Sequence, residues 1–213
     1  MVFPKNEIDY SLYVITDRAL MSSATVEECV ERAIDGGCTL VQLREKEISS
    51  LNFYHLAERI NRICDRRRVP LIINDRIDVA LAVGAAGVHV GQRDLPAGVV
   101  RGVIGKDRLL GVSAVTLEQA VQAQTDGADY LGVGAMFPTG TKTDAETVTM
   151  EELKKIREAV SIPLVVIGGI NEQTVPLFKG TGIDGLAVVS AVISAQDIEK
   201  AARKMKSLFQ RIC

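Results

Sequence analysis

"LLGVSAVTLEQAVQAQTDGADYLGVG", Leu109 to Gly134, holds one full turn of the pattern on which the whole chain is built. It opens with the apolar run 109–113, continues through the amphipathic segment "TLEQAVQAQTDGA", and reaches a second apolar run at 130–134. Both runs are continuous rather than alternating, which predicts strands covered on both faces, as in a parallel sheet. Gly127, just before the second run, suits the left-handed position that ends a helix. The stretch therefore reads as strand, polar loop, helix, glycine, strand.

The same order extends in both directions. Apolar runs stand at 12–16, 39–43, 70–73, 87–90, 109–113, 130–134, 163–168 and 185–190. Amphipathic segments such as "TVEECVERAIDGG", "SSLNFYHLAERINRICDRRR" and "MEELKKIREAV" separate most of them. Gly36-Gly37, Gly84 and Gly182 repeat the glycine stop. Eight strands in 213 residues predict an α/β fold, a single-domain (β/α)8 TIM barrel over residues 1–213. An open doubly wound sheet is the rival, but "TDRALMSS" follows the first run where a dinucleotide-binding G-x-G-x-x-G would stand. "DIEKAARKMKSLFQRIC" reads as the closing helix, and Ser194 as its cap with Asp197 three residues on.

Composition removes several classes of function. A net charge of -2 offers no general attraction to nucleic acid or anionic lipid. Aromatic residues make up 4% and Trp is absent, which removes base-stacking platforms. No apolar run reaches the roughly 18 residues of a membrane span, and "MVFPKNEIDYSLYVITDR" lacks the apolar core with a small-residue cleavage site expected of a secretory leader. The expectation is a cytoplasmic protein that acts on small molecules, with no nucleic-acid or membrane partner; a homo-oligomer is compatible with these features. Cys29, Cys38, Cys64 and Cys213 form no C-x-x-C pair and read as reduced thiols.

In a barrel of this kind, function belongs to the C-terminal ends of the strands. The second run delivers Gln42, Arg44, Glu45 and Lys46 there; the third, Asn74 and Asp75; the fourth, His89, Gln92, Arg93 and Asp94; the fifth, Ser113. The sixth leads into "FPTGTKTD", with Thr139, Gly140, Thr141 and Lys142. The seventh ends in Gly168-Gly169 and the eighth in Val189-Ser190. Three groupings follow. Arg44, Lys46 and Lys142 are cations able to bind a highly charged oxyanion. Asp75 and Asp94 repel unless a cation sits between them, and Mg2+ is usually held by one or two carboxylates plus substrate phosphates; alternatively Asp75 caps the helix that follows. Gly168-Gly169 and Val189-Ser190 stand where many barrels bind phosphate on bare backbone N–H groups, or the glycines simply make a tight turn. His55 reads as a surface residue and His89 as a hydrogen-bonded structural histidine, with a catalytic base as the alternative. No Ser-His-Asp set, nucleophilic thiol or strand-borne lysine is evident. Two anion sites and a metal pair without a base or nucleophile select departure of a diphosphate from carbon.

Seven motifs in this order resemble the thiamine-phosphate synthase family: "QLREK" (42–46), "IIND" (72–75), "HVGQRD" (89–94), "GVS" (111–113), "FPTGTKTD" (137–144), "IGGI" (167–170) and "VVSA" (188–191). The resemblance implies a Mg2+-dependent transferase joining an aminopyrimidine diphosphate to a hydroxyethylthiazole phosphate. By similarity, Gln42, Leu43, Arg44, Glu45, Lys46, Asn74, Ser113 and Lys142 bind the pyrimidine diphosphate, with Arg44, Lys46, Ser113 and Lys142 acting on the leaving group. Thr139, Gly140, Thr141, Gly169, Val189 and Ser190 bind the thiazole phosphate, and Asp75 and Asp94 hold one Mg2+. The implied mechanism is dissociative, so no general base is required, and the loop after Phe137 is expected to act as a lid. Arg93 departs from the family, in which an acidic residue is common. A thiazole tautomerase of the same fold would not need the diphosphate and metal set. A phosphosugar lyase or epimerase would want a strand-borne lysine or an acid/base pair, and a non-catalytic sensor of thiamine precursors would not need the full set.

Overall fold

The computed structural model describes residues 3–138 and 147–213. The expected runs form eight parallel strands: β1 (Leu12–Ile15), β2 (Leu40–Leu43), β3 (Leu71–Asn74), β4 (Gly87–Val90), β5 (Leu109–Ala114), β6 (Tyr130–Val133), β7 (Leu164–Val166) and β8 (Gly185–Val188). Each pairs with the next, and β1 pairs with β8, so the sheet closes on itself. Helices α1 (Val26–Asp35), α2 (Ser50–Arg67), α3 (Ile77–Val83), α4 (Ala97–Ile104), α5 (Leu117–Thr125), α6 (Met150–Ala159), the one-turn α7 (Ser190–Ile193) and α8 (Ile198–Gln210) cover the outside.

Local chemistry starts and stops these helices. Thr25, Ser49, Thr116, Thr149 and Asp197 each accept a backbone N–H three residues further on, the usual N-cap arrangement. Asp197, not Ser194, therefore caps α8; Ser194 instead closes α7. Gly84 and Gly127 take the left-handed conformation expected of them. The β7–β8 connection carries only a 3₁₀ turn, Val175–Phe178, with Pro176 near its start. Before it, Asn171 Oδ1 accepts from the backbone N–H groups of Gln173 and Thr174, a local turn that competes with an α-helix.

Two apolar layers result. Leu12, Val41, Ile73, Val88, Leu131 and Val166 point outward and pack under the helices. Tyr13, Leu40, Ile72, Leu109, Tyr130 and Val165 point inward and fill the barrel. Cys29, Cys38 and Cys64 are buried free thiols, and Cys213 is an exposed one. Among the described residues no helix is long and apolar enough to cross a membrane.

Candidate active site

At the C-terminal mouth, β1 and β2 are tied together by their first polar residues. The buried Thr16 hydroxyl accepts from the Arg44 backbone N–H at 3.0 Å. Arg44 reaches across to Asp17, Nη1 to Oδ2 at 3.0 Å, with both side chains largely covered. Glu45 accepts two hydrogen bonds from Arg18, at 2.8 and 3.3 Å. Lys46 is exposed. Leu43 is fully buried in the layer between strands and helices, so it can serve the mouth only through its main chain.

The neighbouring strand ends carry the carboxylate pair. Asp75 leaves β3 with φ +60°, and its N–H donates to the His89 carbonyl at 2.9 Å. The N-cap of α3 is Arg76, and no side chain makes a cap bond there, so Asp75 does not cap the helix that follows it. Asp94 is held by its own turn: Oδ2 accepts the Gly91 N–H at 2.7 Å, and its N–H donates to the Gly91 carbonyl. The two carboxyl groups lie within hydrogen-bond reach of each other. Burial, then the Asp94 charge and hydrogen bond, push the Asp75 carboxyl up to about 6, while Lys46 and Arg44 pull it down.

A divalent cation fits this donor set. Two carboxylates pressed together, one of them held well above the usual range, are stabilised by a positive charge between them. Among the described residues, no group of three or more His, Cys, Asp or Glu could hold a metal. Two carboxylates therefore leave the remaining coordination positions to water and substrate oxygens, as is usual for Mg2+.

Below the carboxylates, polar side chains enter the barrel. Gln42 is buried, and its Nε2 donates to Tyr13 Oη at 2.6 Å. Ser113, half-buried on β5, has Oγ 2.9 Å from His89 Nε2. Its carbonyl accepts from Gln92 Nε2 at 2.7 Å. Asn74 ends β3, with its carbonyl bonded to the Arg76 N–H at 2.7 Å. His89 is buried and hydrogen-bonded through both ring nitrogens, as expected for a structural histidine; exposed His55 lies on α2.

The last three strand ends close the mouth. The chain beyond β6 runs along the β7 end, where the Met136 N–H donates to the Ile167 carbonyl and the Phe137 N–H to the Gly168 carbonyl. A Cβ on Gly169, which has φ +65°, would stand 2.7 Å from Phe137 Cβ; glycine is thus required both for its conformation and for this close approach. Val189 and Ser190 begin α7, with Ser190 exposed. Thr139, Gly140, Thr141 and Lys142, with the expected lid, lie outside the described residues.

The structure thus gathers Gln42, Arg44, Asn74, Asp75, Asp94 and Ser113 at one end of one barrel, with Lys46, Gly169, Val189 and Ser190 on adjoining strand ends. The sequence reading missed Asp17, the partner of Arg44. The signal was present: the strand-end rule applied to the second through eighth runs also points, for the first, to Thr16 and Asp17. It missed Tyr13 and Tyr130 as well, whose hydroxyls bond at 2.8 Å inside the barrel.

Comparison with known proteins supplies independent information. Residues 12–192 match the family model described as Thiamine monophosphate synthase. A thiamine-phosphate synthase of Clostridium beijerinckii is 62% identical over 208 residues, covering 98% of this chain and 100% of the relative. One of Ruminiclostridium cellulolyticum is 60% identical over 205 residues, covering 96% and 98%. Among solved structures, a thiamine phosphate pyrophosphorylase from Pyrococcus furiosus superposes with a TM-score of 0.89 at 38% identity, covering 96% of this chain and 98% of that one.

Proposed function

The chain belongs to the thiamine monophosphate synthase family of transferases, and from this premise we propose that it joins two small phosphorylated substrates at the C-terminal mouth of the barrel. The first is 4-amino-2-methyl-5-(diphosphooxymethyl)pyrimidine and the second 4-methyl-5-(2-phosphooxyethyl)thiazole. The products are thiamine monophosphate and pyrophosphate.

The bond between the pyrimidine methylene carbon and the diphosphate oxygen breaks, and its electron pair leaves with the diphosphate. The resulting cation is stabilised by the ring's own 4-amino group. The thiazole nitrogen then donates its lone pair to that carbon, forming the new C–N bond. No proton has to be removed from either reacting atom, so a site without a base suffices.

Each residue has a role in this scheme. Arg44, Lys46 and Lys142 bind the diphosphate and stabilise the charge it gains. Ser113 donates a hydrogen bond from its hydroxyl to the same group. Gln42 and Asn74, with the main chain at Leu43 and Glu45, line the pyrimidine side. Thr139, Gly140, Thr141, Gly169, Val189 and Ser190 hold the thiazole phosphate. Asp75 and Asp94 would hold one Mg2+, which when bound supplies charge neutralisation to the departing diphosphate. Asp17 orients the Arg44 guanidinium through the 3.0 Å ion pair.

One observation carries this reading: the strand ends bearing Arg44 and Lys46, Asp75, and Asp94 open on the same mouth of the closed barrel, where Asp94 pushes the Asp75 carboxyl up. A tautomerase acting on a thiazole monophosphate has no use for that set. The test is formation of thiamine monophosphate from the two purified substrates, with and without Mg2+. Product in the presence of the metal supports the reading; no product under either condition overturns it.

A further inference from the structure

The centre of the barrel contains more polarity than packing requires. Barrel interiors are filled mainly by layers of branched aliphatic side chains. Here Gln42, Tyr13, Tyr130 and His89 are all buried there, and they form one continuous chain. Gln42 Nε2 to Tyr13 Oη is 2.6 Å, Tyr13 Oη to Tyr130 Oη 2.8 Å, Tyr130 Oη to His89 Nδ1 3.1 Å, and His89 Nε2 to Ser113 Oγ 2.9 Å. The neighbouring strands make room for it. A Cβ on Gly111 would lie 2.1 Å from the Tyr130 ring and 2.5 Å from His89 Nδ1, and one on Gly132 would lie 3.2 Å from His89 Cε1.

The chain has a direction. The Gln42 amide nitrogen can only donate, so Tyr13 oxygen accepts there, and only with its single proton turned toward Tyr130 does every buried hydroxyl of the chain find an acceptor. Tyr130 in turn donates to His89 Nδ1. That nitrogen must then be bare, which puts the imidazole proton on Nε2, facing Ser113 Oγ. With its oxygen already accepting, the Ser113 hydroxyl keeps its own proton for the mouth. Burial lifts the ionisation of both phenols, so they remain neutral donors.

We infer that Tyr13, Tyr130 and His89 are positioning residues, a hydrogen-bond relay across the barrel that fixes Ser113 as a donor toward the departing diphosphate. The inference rests on the reading above that Ser113 meets that group. Run in reverse, the relay would set the Tyr13 O–H against the Gln42 N–H groups, and an uncompensated buried donor is costly.

The chain contains two histidines, so in the H55Q variant His89 is the only imidazole. Long-range 1H–15N correlation spectra of 15N-labelled H55Q protein, recorded without substrates, are expected to show a protonated Nε2 and a bare Nδ1. A protonated Nδ1 overturns the relay's direction, whether or not the enzyme makes thiamine monophosphate. In kinetics, Tyr130→Phe is expected to lower kcat about tenfold, the effect of one misplaced hydrogen bond, with KM for the pyrimidine diphosphate nearly unchanged. In a Ser113→Ala background the same change is expected to cost nothing further, because the group it positions is gone. Full additivity of the two losses overturns the proposal. Should Tyr130→Phe fail to fold, Tyr13→Phe is subjected to the same cycle and the same criterion, and the spectra of the H55Q protein stand independently.

Discussion

The two ends of the barrel solve opposite electrostatic problems. At the N-terminal end the carboxylates Asp129 and Asp184 are consumed by the fold. Asp129 accepts from Lys5 at 2.9 Å, from Arg101, and from the Leu110 N–H at 2.8 Å. Asp184 accepts from Arg157 at 3.1 Å and from the Leu164 N–H at 2.8 Å. Tyr10 plugs the opening, packed so closely that a Cβ on Gly185 would stand 1.8 Å from its carbonyl oxygen. A concavity of about 470 Å³ does open there, beside Lys5, Tyr10, Asp129 and Asp184, but those carboxylates already have their cations. At the C-terminal end Asp75 faces Asp94, one carboxyl beside another. A fold selected only for stability would not retain that pair. The contrast separates an end that holds the strands together from an end left under electrostatic stress for a ligand to relieve.

The sharpest way to break this contrast is to remove the proposed counter-ion. Chelation with EDTA is expected to take thiamine monophosphate formation to background, and Mg2+ to restore it; turnover indifferent to EDTA removes the metal from the scheme. Next in size is Arg44→Ala, expected to lower kcat by roughly two to three orders of magnitude, the effect of losing one preorganised donor to a developing anion. Steady-state kinetics that return the parental kcat would strip Arg44 of its role.

A matching change at the other end should do the reverse. Asp129→Ala leaves Lys5 and Arg101 without their carboxylate and the Leu110 N–H without an acceptor. The expected cost is about 2 kcal/mol of stability, a fall in Tm of roughly 4–8 °C for a chain of this size. Activity per folded molecule should stay at the parental level. A large loss of kcat without a loss of Tm would mean that the two ends are not separate after all.

How much of this was legible in the sequence differs by layer. The eight strands were readable because a parallel barrel buries both faces and so leaves continuous apolar runs. The strand-end rule then found Arg44, Asp75, Asp94 and Ser113, which the fold brings to one mouth. It passed over Asp17 because the first run was judged by what it lacked, a glycine fingerprint. The Tyr13–Tyr130 contact was out of reach for a deeper reason. When both faces of a strand are apolar, the alternation that separates inside from outside disappears, and a tyrosine in such a run looks like any other apolar residue. Only strand register, which pairs Gly111 with Tyr130 and His89 with Gly111, shows that these rings share the interior. The capping alternative for Asp75 stayed open in the sequence because nothing local announces its left-handed φ, which accompanies the tertiary bond from its N–H to the His89 carbonyl.

The smallest expected effect tests the stressed end directly, through stability. The Asp75 carboxyl stands at about 6 in the folded chain against an ordinary value of 3.8. Well below its ordinary value of 3.8 the carboxyl is neutral whether folded or unfolded, and it costs nothing. As pH rises from about 4 to 6 the unfolded chain gives up this proton while the folded chain retains it, so the fold loses stability across that window and stays weakened above it. Asp75→Asn removes the ionisation. After allowance for the group's partial exposure, the gain is about 1 kcal/mol at pH 8 in metal-free protein, or roughly 2–4 °C in Tm. The gain should shrink as pH falls toward 4, because the native carboxyl is then neutral too. Added Mg2+ should invert the ranking at pH 8: it stabilises the parent by binding the folded state and finds a poorer site in the variant. Thermal melts of both proteins at pH 8 and pH 5, with EDTA or with Mg2+, check all of this. A variant less stable than its parent in EDTA at pH 8 would show that the two carboxylates do not oppose each other, and the contrast between the barrel's ends would lose its physical basis.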